Sequence, residues 1–219
     1  MTEGELHSLI SQLETGWIPT RDAEVKKNRE ENHHYSPLRS ITIKETDHSR
    51  LLGELLKPDG SHGMGDLFLQ SFLELIGINQ PKEGKWQATV EKGRIDILLR
   101  RENPASVIII ENKANSAVDQ AQQLYRYWYQ EIYSYYPTLN YNDPSTQDRF
   151  KIIYAPARAF EKPSTSSLKA PDEQVAMQSE CQTMPLELTY LSFNREISAW
   201  LESLVDQVPS SRLKVFLKL

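Results

Sequence analysis

Two short apolar segments separated by a turn constrain the fold of this chain more than any other feature. The first segment is residues 93–99 and the second is residues 107–113. Each is bounded by charged residues, Asn, Pro or Gly and is too short for a helix, which is the pattern of a buried strand. With a turn centred between Asn103 and Pro104, the two segments are predicted to form one antiparallel β-hairpin.

This register places Asp96 opposite Glu111. Side chains that face each other across a strand pair have Cβ atoms about 4.5–5.5 Å apart. Because side chains alternate along a strand, Glu111 and Lys113 share one face and Asn112 points to the other. Two carboxylates and an ammonium group are therefore expected at one end of an apolar sheet.

Neighbouring carboxylates repel each other and raise each other's pKa unless a cation neutralises them. A donor set made only of oxygen, without cysteine or histidine, suits a hard ion such as Mg²⁺ or Mn²⁺. Such an ion activates water and stabilises a leaving oxygen, and a nearby lysine adds a fixed positive charge. Phosphodiester hydrolysis is the chemistry that uses all of these groups.

A tyrosine-rich segment from Val118 to Tyr136 follows the hairpin and is predicted to be a helix. Asn115 or Ser116 is available as the N-cap residue. Gln123 and Tyr127 are four residues apart, so they would lie on the same helix face. That face is expected to approach the charged end of the hairpin.

This arrangement resembles the PD-(D/E)XK nuclease superfamily, in which a strand pair carrying Asp and Glu-x-Lys precedes a helix. The chain is most similar to the branch whose helix carries Gln-xxx-Tyr, and to a poorly characterised bacterial family within it. Ile95 stands before Asp96, where the name of the superfamily has proline.

The upstream segments resemble the start of the same family, in which a helix with Glu…His-Ser precedes a His-Gly-x-Gly turn. His48-Ser49 and His62-Gly-Met-Gly65 match these motifs. The resemblance implies that Glu45 is the carboxylate of the N-terminal helix that completes the metal site. Glu54, in the middle of the same predicted helix, is the alternative.

The resemblance further implies a role for each site residue. Asp96 and Glu111 would bind Mg²⁺ or Mn²⁺ together with the backbone carbonyl of Asn112 and the Glu45 carboxylate. Lys113 would orient the attacking water and offset charge on the phosphate. The helix residues Gln123 and Tyr127 would hold Lys113 or contact the nucleic acid. In-line attack by water would leave a 5′-phosphate.

The charge distribution is compatible with a nucleic-acid substrate, although the whole chain carries a net charge of −5. Between Lys82 and Arg101 there are six basic and three acidic residues. Phosphate contacts require lysine and arginine, so Arg94, Arg100 and Arg126 are the predicted nucleic-acid contacts. A solvated strand edge is an equally good explanation of the same residues. DNA is the expected substrate, although the sequence does not separate DNA from RNA.

Composition excludes several other classes of protein. No run of about 18 apolar residues is present, so no membrane span is expected, and the first residues lack the features of a secretory signal. The single cysteine, Cys181, excludes an internal disulfide and suits a reducing cytosol. The protein is therefore expected to be cytoplasmic.

The predicted fold is an α/β restriction-endonuclease-like core. In it a central mixed sheet of four to five strands, in the order αβββαβ, is flanked by helices. Leu98 and Ile109 on one face of the hairpin, and Ile97 and Ile110 on the other, require helices on both sides. Residues 1–36 are expected to form a short helix and a polar segment, and residues 37–219 the nuclease-like domain. The apolar run at 213–219 lacks a cap, so the helix is expected to extend past Leu219.

Two other functional interpretations stay open. The domain is alternatively a catalytically inactive nuclease fold that binds nucleic acid or a protein. It is alternatively a subunit of a phage-defence or mobile-element system that is active only with partner proteins. A homo-oligomer is compatible with all of these interpretations.

Overall fold

The computed structural model describes residues 44–114 and 118–218, together with the single position Ala23. Backbone contacts divide the chain into Met1–Thr42 and Ile43–Leu219, and the description below concerns the second unit. The predicted N-terminal helix and polar segment lie outside the described residues. The domain boundary after residue 36 stays a prediction.

A mixed five-stranded sheet forms the centre of this unit. Its strands are β1 (Trp86–Lys92), β2 (Ile95–Arg101), β3 (Ser106–Lys113), β4 (Phe150–Pro156) and β5 (Leu188–Tyr190). The spatial order follows the chain, with β1, β2 and β3 antiparallel and β3, β4 and β5 parallel. Side chains that follow the carboxyl ends of β3 and β4 therefore meet at one edge of the sheet.

Helices cover both faces of the sheet. They are α1 (Glu45–Leu55), α2 (Leu67–Leu75), α3 (Gln123–Trp128), α4 (Pro144–Gln147), α5 (Glu173–Ser179), α6 (Ser198–Ser203) and α7 (Ser211–Leu217). A π-helical turn at Tyr129–Tyr133 extends α3, and another at Phe193–Ile197 leads into α6. Short 3₁₀ turns occupy Thr165–Leu168 and Val205–Gln207. No helix among the described residues is long and apolar enough to cross a membrane.

The predicted register of the hairpin is confirmed. Ile97 pairs with Ile110, and Leu98 pairs with Ile109. The first pair lies in a core formed with α1, α2 and the C-terminal helices. The second pair lies in a separate core formed with the aromatic side chains of α3. The sheet is therefore apolar on both faces, and the restriction-endonuclease-like α/β fold predicted from the sequence is confirmed.

The aromatic segment begins its helix later than the sequence pattern predicts. Residues 118–120 are irregular, Gln122 has a left-handed backbone with φ +63°, and α3 starts only at Gln123. The reason is tertiary, because the Asp119 carboxylate accepts hydrogen bonds from the Ser164 N–H and the Tyr154 hydroxyl. The proposed N-cap residues at 115 and 116 lie outside the described residues.

The segment from 157 to 185 is polar and turn-rich, a composition typical of a long loop, yet it contains regular structure. It contains α5, and Lys169 and Thr183 form an isolated antiparallel bridge. Buried Ser179 binds the Tyr125 hydroxyl of α3 at 2.5 Å. The polar composition of the segment conceals these contacts, because its order depends on hydrogen bonds to α3.

Close packing of α1 on β1 depends on a glycine. A Cβ atom added at Gly53 would lie 2.2 Å from Cγ2 of Val90. Valine has little rotamer freedom, so we expect Gly53→Ala to destabilise the protein by about 1–3 kcal/mol. Chemical denaturation measures this loss. In a Val90→Ala background the clashing Cγ2 atom is absent, so Gly53→Ala should cost much less stability there than in the wild-type protein. An equal cost in both backgrounds would contradict a steric origin.

Candidate active site

The predicted acidic and basic side chains lie where β2 and β3 stop pairing. The paired ladder between the two strands ends at Ile97 and Ile110. Immediately beyond it, Oδ2 of Asp96 accepts the backbone N–H of Asn112 at 2.7 Å. The carboxylate thus takes the place of a backbone partner at the end of the hairpin, which fixes it beside Glu111 and Lys113.

Glu111 and Lys113 form a buried ion pair at the end of β3. Nζ of Lys113 lies 2.7 Å from Oε1 of Glu111, and the two residues are 5% and 2% exposed. Charged groups are rarely buried to this degree unless they are paired. Their alternation along β3 places both on the α3 side of the sheet, as predicted.

Gln123, the first residue of α3, links this ion pair to the helix. Its Nε2 donates to Oε1 of Glu111 at 2.8 Å and to the Tyr127 hydroxyl at 2.8 Å. Its Oε1 lies 3.5 Å from Nζ of Lys113. The amide therefore orients both charged groups, and the predicted four-residue spacing brings Gln123 and Tyr127 together.

Tyr127 ties the helix to the start of β2. Its hydroxyl donates to the backbone carbonyl of Arg94. Burial, followed by the charges of Glu111 and Asp96, raises the pKa of Tyr127 above its ordinary value. The hydroxyl stays protonated at neutral pH, so it serves as a hydrogen-bond donor at the point where the fields of the two carboxylates converge.

Asp96 is held by groups from two other elements. The backbone N–H of Asn112 and the Ser49 hydroxyl of α1 both bond to its carboxylate. Burial raises the pKa of Asp96 above its ordinary value, although these bonds and the Lys113 charge oppose the shift. The Asn112 side chain points away from Glu111 and donates to Ser49 at 2.9 Å.

The two candidates for the helix carboxylate differ in position. Glu54 accepts the Ser61 N–H at 2.7 Å and pairs with Lys57 at 3.4 Å, so it organises the turn after α1. The Ser61 N–H also lowers the pKa of Glu54. Glu45 is the first residue of α1, four residues before Ser49, and its side chain lies outside the described residues.

Sequence reasoning missed the neighbours of the site on β4. Tyr154 is the register partner of Glu111, and its hydroxyl donates to Asp119 at 3.2 Å. Burial, and then the Asp119 charge, raise the pKa of Tyr154. No local pattern marks this pair, because the two residues are far apart in sequence. Ser49 belongs to the His48-Ser49 motif, but the motif does not predict its hydrogen bond to Asp96.

The three predicted nucleic-acid contacts occupy different positions. Arg94 is exposed in the turn that leads into β2, next to the site. Arg126 lies on α3, and its charge acts on Tyr127. Arg100 is four residues from Asp96 along β2, about 13 Å away. It pairs with Glu131 and stacks over Tyr135 at 5.0 Å.

A surface cavity opens at the opposite end of the hairpin, beside the turn between β2 and β3. Its buried Arg101 donates to the carbonyls of Gln80, Glu83 and Pro104 and stacks over Trp86. This arginine is fully used in holding the turn. The cavity is remote from the paired carboxylates, so it is not part of the candidate site.

The geometry agrees with a comparison to known families. The model of the PD-(D/E)XK nuclease superfamily matches residues 35–218. No curated protein and no solved structure shows significant similarity to the chain. Nucleases of this superfamily usually use Mg²⁺ or Mn²⁺. The matched region includes every described residue of the candidate site, and the chain therefore belongs to the PD-(D/E)XK nuclease superfamily.

Proposed function

We propose that the protein is a metal-dependent nuclease that hydrolyses DNA phosphodiester bonds. The observation that carries this proposal is the convergence of Asp96, Glu111 and Lys113 at the end of one hairpin. The lysine ammonium is 2.7 Å from the glutamate, and the aspartate is fixed by the intervening Asn112 N–H. Membership of a nuclease superfamily supports the same chemistry.

The residues present fit a divalent metal ion. Asp96, Glu111, the Asn112 carbonyl and Glu45 would supply only oxygen ligands, which Mg²⁺ and Mn²⁺ prefer. Within the described part of the chain, no three acidic, histidine or cysteine side chains cluster. By the family resemblance, Glu45 at the start of α1 would supply the third carboxylate. When bound, the ion would activate water and neutralise phosphate charge.

The raised pKa values of Asp96 and Tyr127 are compatible with a metal ion beside the two carboxylates. Burial disfavours the ionised form of Asp96, and both carboxylates disfavour ionisation of Tyr127. A cation bound beside the two carboxylates would favour their ionised forms. Lys113 supplies one positive charge, and a divalent ion would supply the remainder.

The chain's own groups would then orient the reactants. Lys113, held by Gln123 and Glu111, would orient the attacking water and offset charge on the phosphate. Water oxygen would bond to phosphorus in line with the departing 3′ oxygen, whose bond breaks to leave a 3′-hydroxyl and a 5′-phosphate. Gln123 and Tyr127 act as positioning residues, because their contacts are with protein groups.

Arg94 and Arg126 are the proposed phosphate contacts near the site. Arg94 is exposed, whereas Nη2 of Arg126 is buried and makes no hydrogen bond with any described residue, so the Arg126 side chain would have to rearrange to reach a phosphate. Arg100 stays a predicted contact, more distant and neutralised by Glu131. Arg100 would contact only DNA that extends from the site along the hairpin.

The experiment is a cleavage assay with the purified protein. Linear duplex, closed circular and single-stranded DNA, and an RNA of the same sequence, are incubated with Mg²⁺, Mn²⁺ or EDTA. We expect cleavage of DNA only with metal, with products that ligase can rejoin because they carry 5′-phosphates. Cleavage of circles identifies endonuclease action, and cleavage that persists in EDTA contradicts the proposal.

The same assay distinguishes the alternatives. Nucleic-acid binding in EDTA without cleavage in Mn²⁺ indicates an inactive binding module. Cleavage only after partner proteins of a defence or mobile-element system are added indicates a subunit. A cytoplasmic location belongs to the proposal and rests on the single free cysteine, Cys181. Self-association is a separate expectation, which sedimentation measures.

A further inference from the structure

Phe160 is held in solvent at an energetic cost. Its side chain is 91% exposed, and its backbone has φ +79°, in the left-handed region. For a residue with a Cβ atom this conformation is strained, and strained residues cluster at functional sites. A large apolar ring also gains nothing from water. Neither feature contributes to stability, so both suggest a role in binding.

The segment that carries Phe160 is anchored at both ends to the candidate active site. At its start, the Ala157 N–H donates to the Lys113 carbonyl at 3.1 Å. At its end, the Ser164 N–H donates to Asp119 at 2.6 Å, and Asp119 accepts the Tyr154 hydroxyl. The loop thus forms one border of the site.

Other exposed rings and apolar groups continue this border. The ring of Tyr154 is 6.2 Å from that of Tyr190, which is 44% exposed on β5. Val118, adjacent to Asp119, is 89% exposed. We call Val118, Phe160 and Tyr190 the apolar rim. Tyr190 pairs with Tyr154 of β4, which in turn pairs with Glu111 of β3.

Cations flank the most exposed ring. Arg158 and Lys162 stand two residues on either side of Phe160 and are both exposed, and with the intervening Glu161 the local charge of residues 158–162 is +1. Alternating cations and aromatic rings are the features that bind single-stranded nucleic acid, since each base offers a π-face and each phosphate a negative charge. A base pair inside a duplex has both faces covered by its neighbours and offers none to an outlying ring.

We propose that Phe160 stacks on an unpaired base of a nucleic-acid strand that leads into the active site, with Arg158 and Lys162 contacting the adjoining phosphates. This inference rests on the proposed function, because it assumes that the bound polymer is the substrate. It identifies a single-stranded end or overhang, rather than blunt duplex, as the preferred ligand. Tyr190 provides the next stacking surface toward β5.

The test measures binding without cleavage. All variants are made in an Asp96→Asn background in EDTA, and fluorescence anisotropy gives the Kd for a single-stranded oligonucleotide and for a blunt hairpin duplex. We expect Phe160→Ala to raise the single-strand Kd about 5–150-fold, the range for loss of one stacked base. Phe160→Trp should retain affinity, and the duplex Kd should change little. An RNA oligonucleotide in the same series shows whether the sugar matters.

Two further variants separate binding from folding. Phe160→Gly removes both the ring and the backbone strain, so it should weaken binding while raising the Tm. Met177→Ala is the matched control, because Met177 is 78% exposed on α5, which contacts the far end of the α3 helix through Gln178. It should leave the single-strand Kd unchanged.

The inference is overturned if Phe160→Ala leaves the single-strand Kd unchanged. It is also overturned if Phe160→Trp binds the single strand as weakly as Phe160→Ala. Equal losses for single strand and duplex also overturn it. Failure of the inference is distinguishable from failure of the proposed function. Cleavage by wild-type protein with unaltered binding in Phe160→Ala rejects only the stacking role, whereas a Phe160-dependent Kd without any cleavage rejects only the nuclease.

Discussion

Replacing Asp96 with asparagine is expected to reduce metal-dependent DNA cleavage by at least about 10²–10³-fold, the usual cost of losing one preorganised charge-stabilising group. The amide retains an oxygen that can accept the Asn112 N–H, so the local backbone should be preserved. What is lost is the negative charge proposed to hold the metal ion. The initial rate of cleavage of linear duplex DNA at saturating Mg²⁺ measures the effect.

Thermal unfolding in EDTA provides the control for Asp96→Asn. Burial raises the folded-state pKa of Asp96 above the ordinary aspartate value of 3.8. The folded state therefore binds the proton more tightly, and the wild-type protein loses stability as pH rises through the interval between the two pKa values. The asparagine variant has no such loss.

At pH 7 we therefore expect the metal-free variant to be at least as stable as wild type. A Tm increase of about 2–4 °C corresponds to ~1 kcal/mol in a domain of this size. At pH 3 the aspartate is largely protonated in both the folded and the unfolded protein, so the difference in Tm between variant and wild type should shrink. A folded Asp96→Asn protein that cleaves at the wild-type rate contradicts the assignment of Asp96 as a metal ligand.

Lys113→Met is expected to destabilise the metal-free protein by about 3–5 kcal/mol, because it leaves the Glu111 carboxylate buried without its cation. Methionine preserves the aliphatic part of the side chain, so the loss reports on charge and not on packing. The relevant distance is 2.7 Å between Nζ and Oε1, in a pair whose side chains are 7% and 2% exposed. Urea denaturation in EDTA gives the free energy of unfolding.

The double variant Glu111→Gln/Lys113→Met should recover much of that stability. Both charges are then absent, and the glutamine can still bond to Gln123, so the desolvation cost of an isolated ion disappears. Neither the single nor the double variant should cleave DNA. Stability and activity would thus separate, which a purely structural role of the pair does not predict.

The exposed pair Arg50–Glu91 is the matched control for this cycle. Its N–O distance is 3.0 Å, but its side chains are 64% and 31% exposed. Removing either partner there should cost only about 0–1 kcal/mol, since solvent screens exposed charges. A similar small cost for Lys113→Met would show that other groups neutralise Glu111.

The hairpin and its chemistry were predictable because they are local. A turn centred between Asn103 and Pro104 sets the register, and side chains alternate along each strand, so Asp96, Glu111 and Lys113 could be placed on one face from the sequence. The four-residue spacing of Gln123 and Tyr127 likewise determines a shared helix face. The roles of these side chains in catalysis stay predictions that the assays above test.

Contacts between distant segments were not predictable in the same way. Asp119 stops the helix from starting early because it bonds to Ser164 and Tyr154. The place of Glu54 in α1 made it a candidate ligand, but its carboxylate accepts the Ser61 N–H and organises the turn after α1. These outcomes depend on partners whose sequence separation leaves no periodic signal.

The sequence by itself determined the sandwiched sheet, the pairing of β2 with β3 and the acidic-basic cluster at their end, because strand alternation and short spacings act within a few residues. Only the tertiary structure decided which further groups hold that cluster, namely Ser49 and the Asn112 N–H. It also decided where Phe160 is exposed. Hydrogen bonding and burial depend on which segments meet, and that depends on the whole fold.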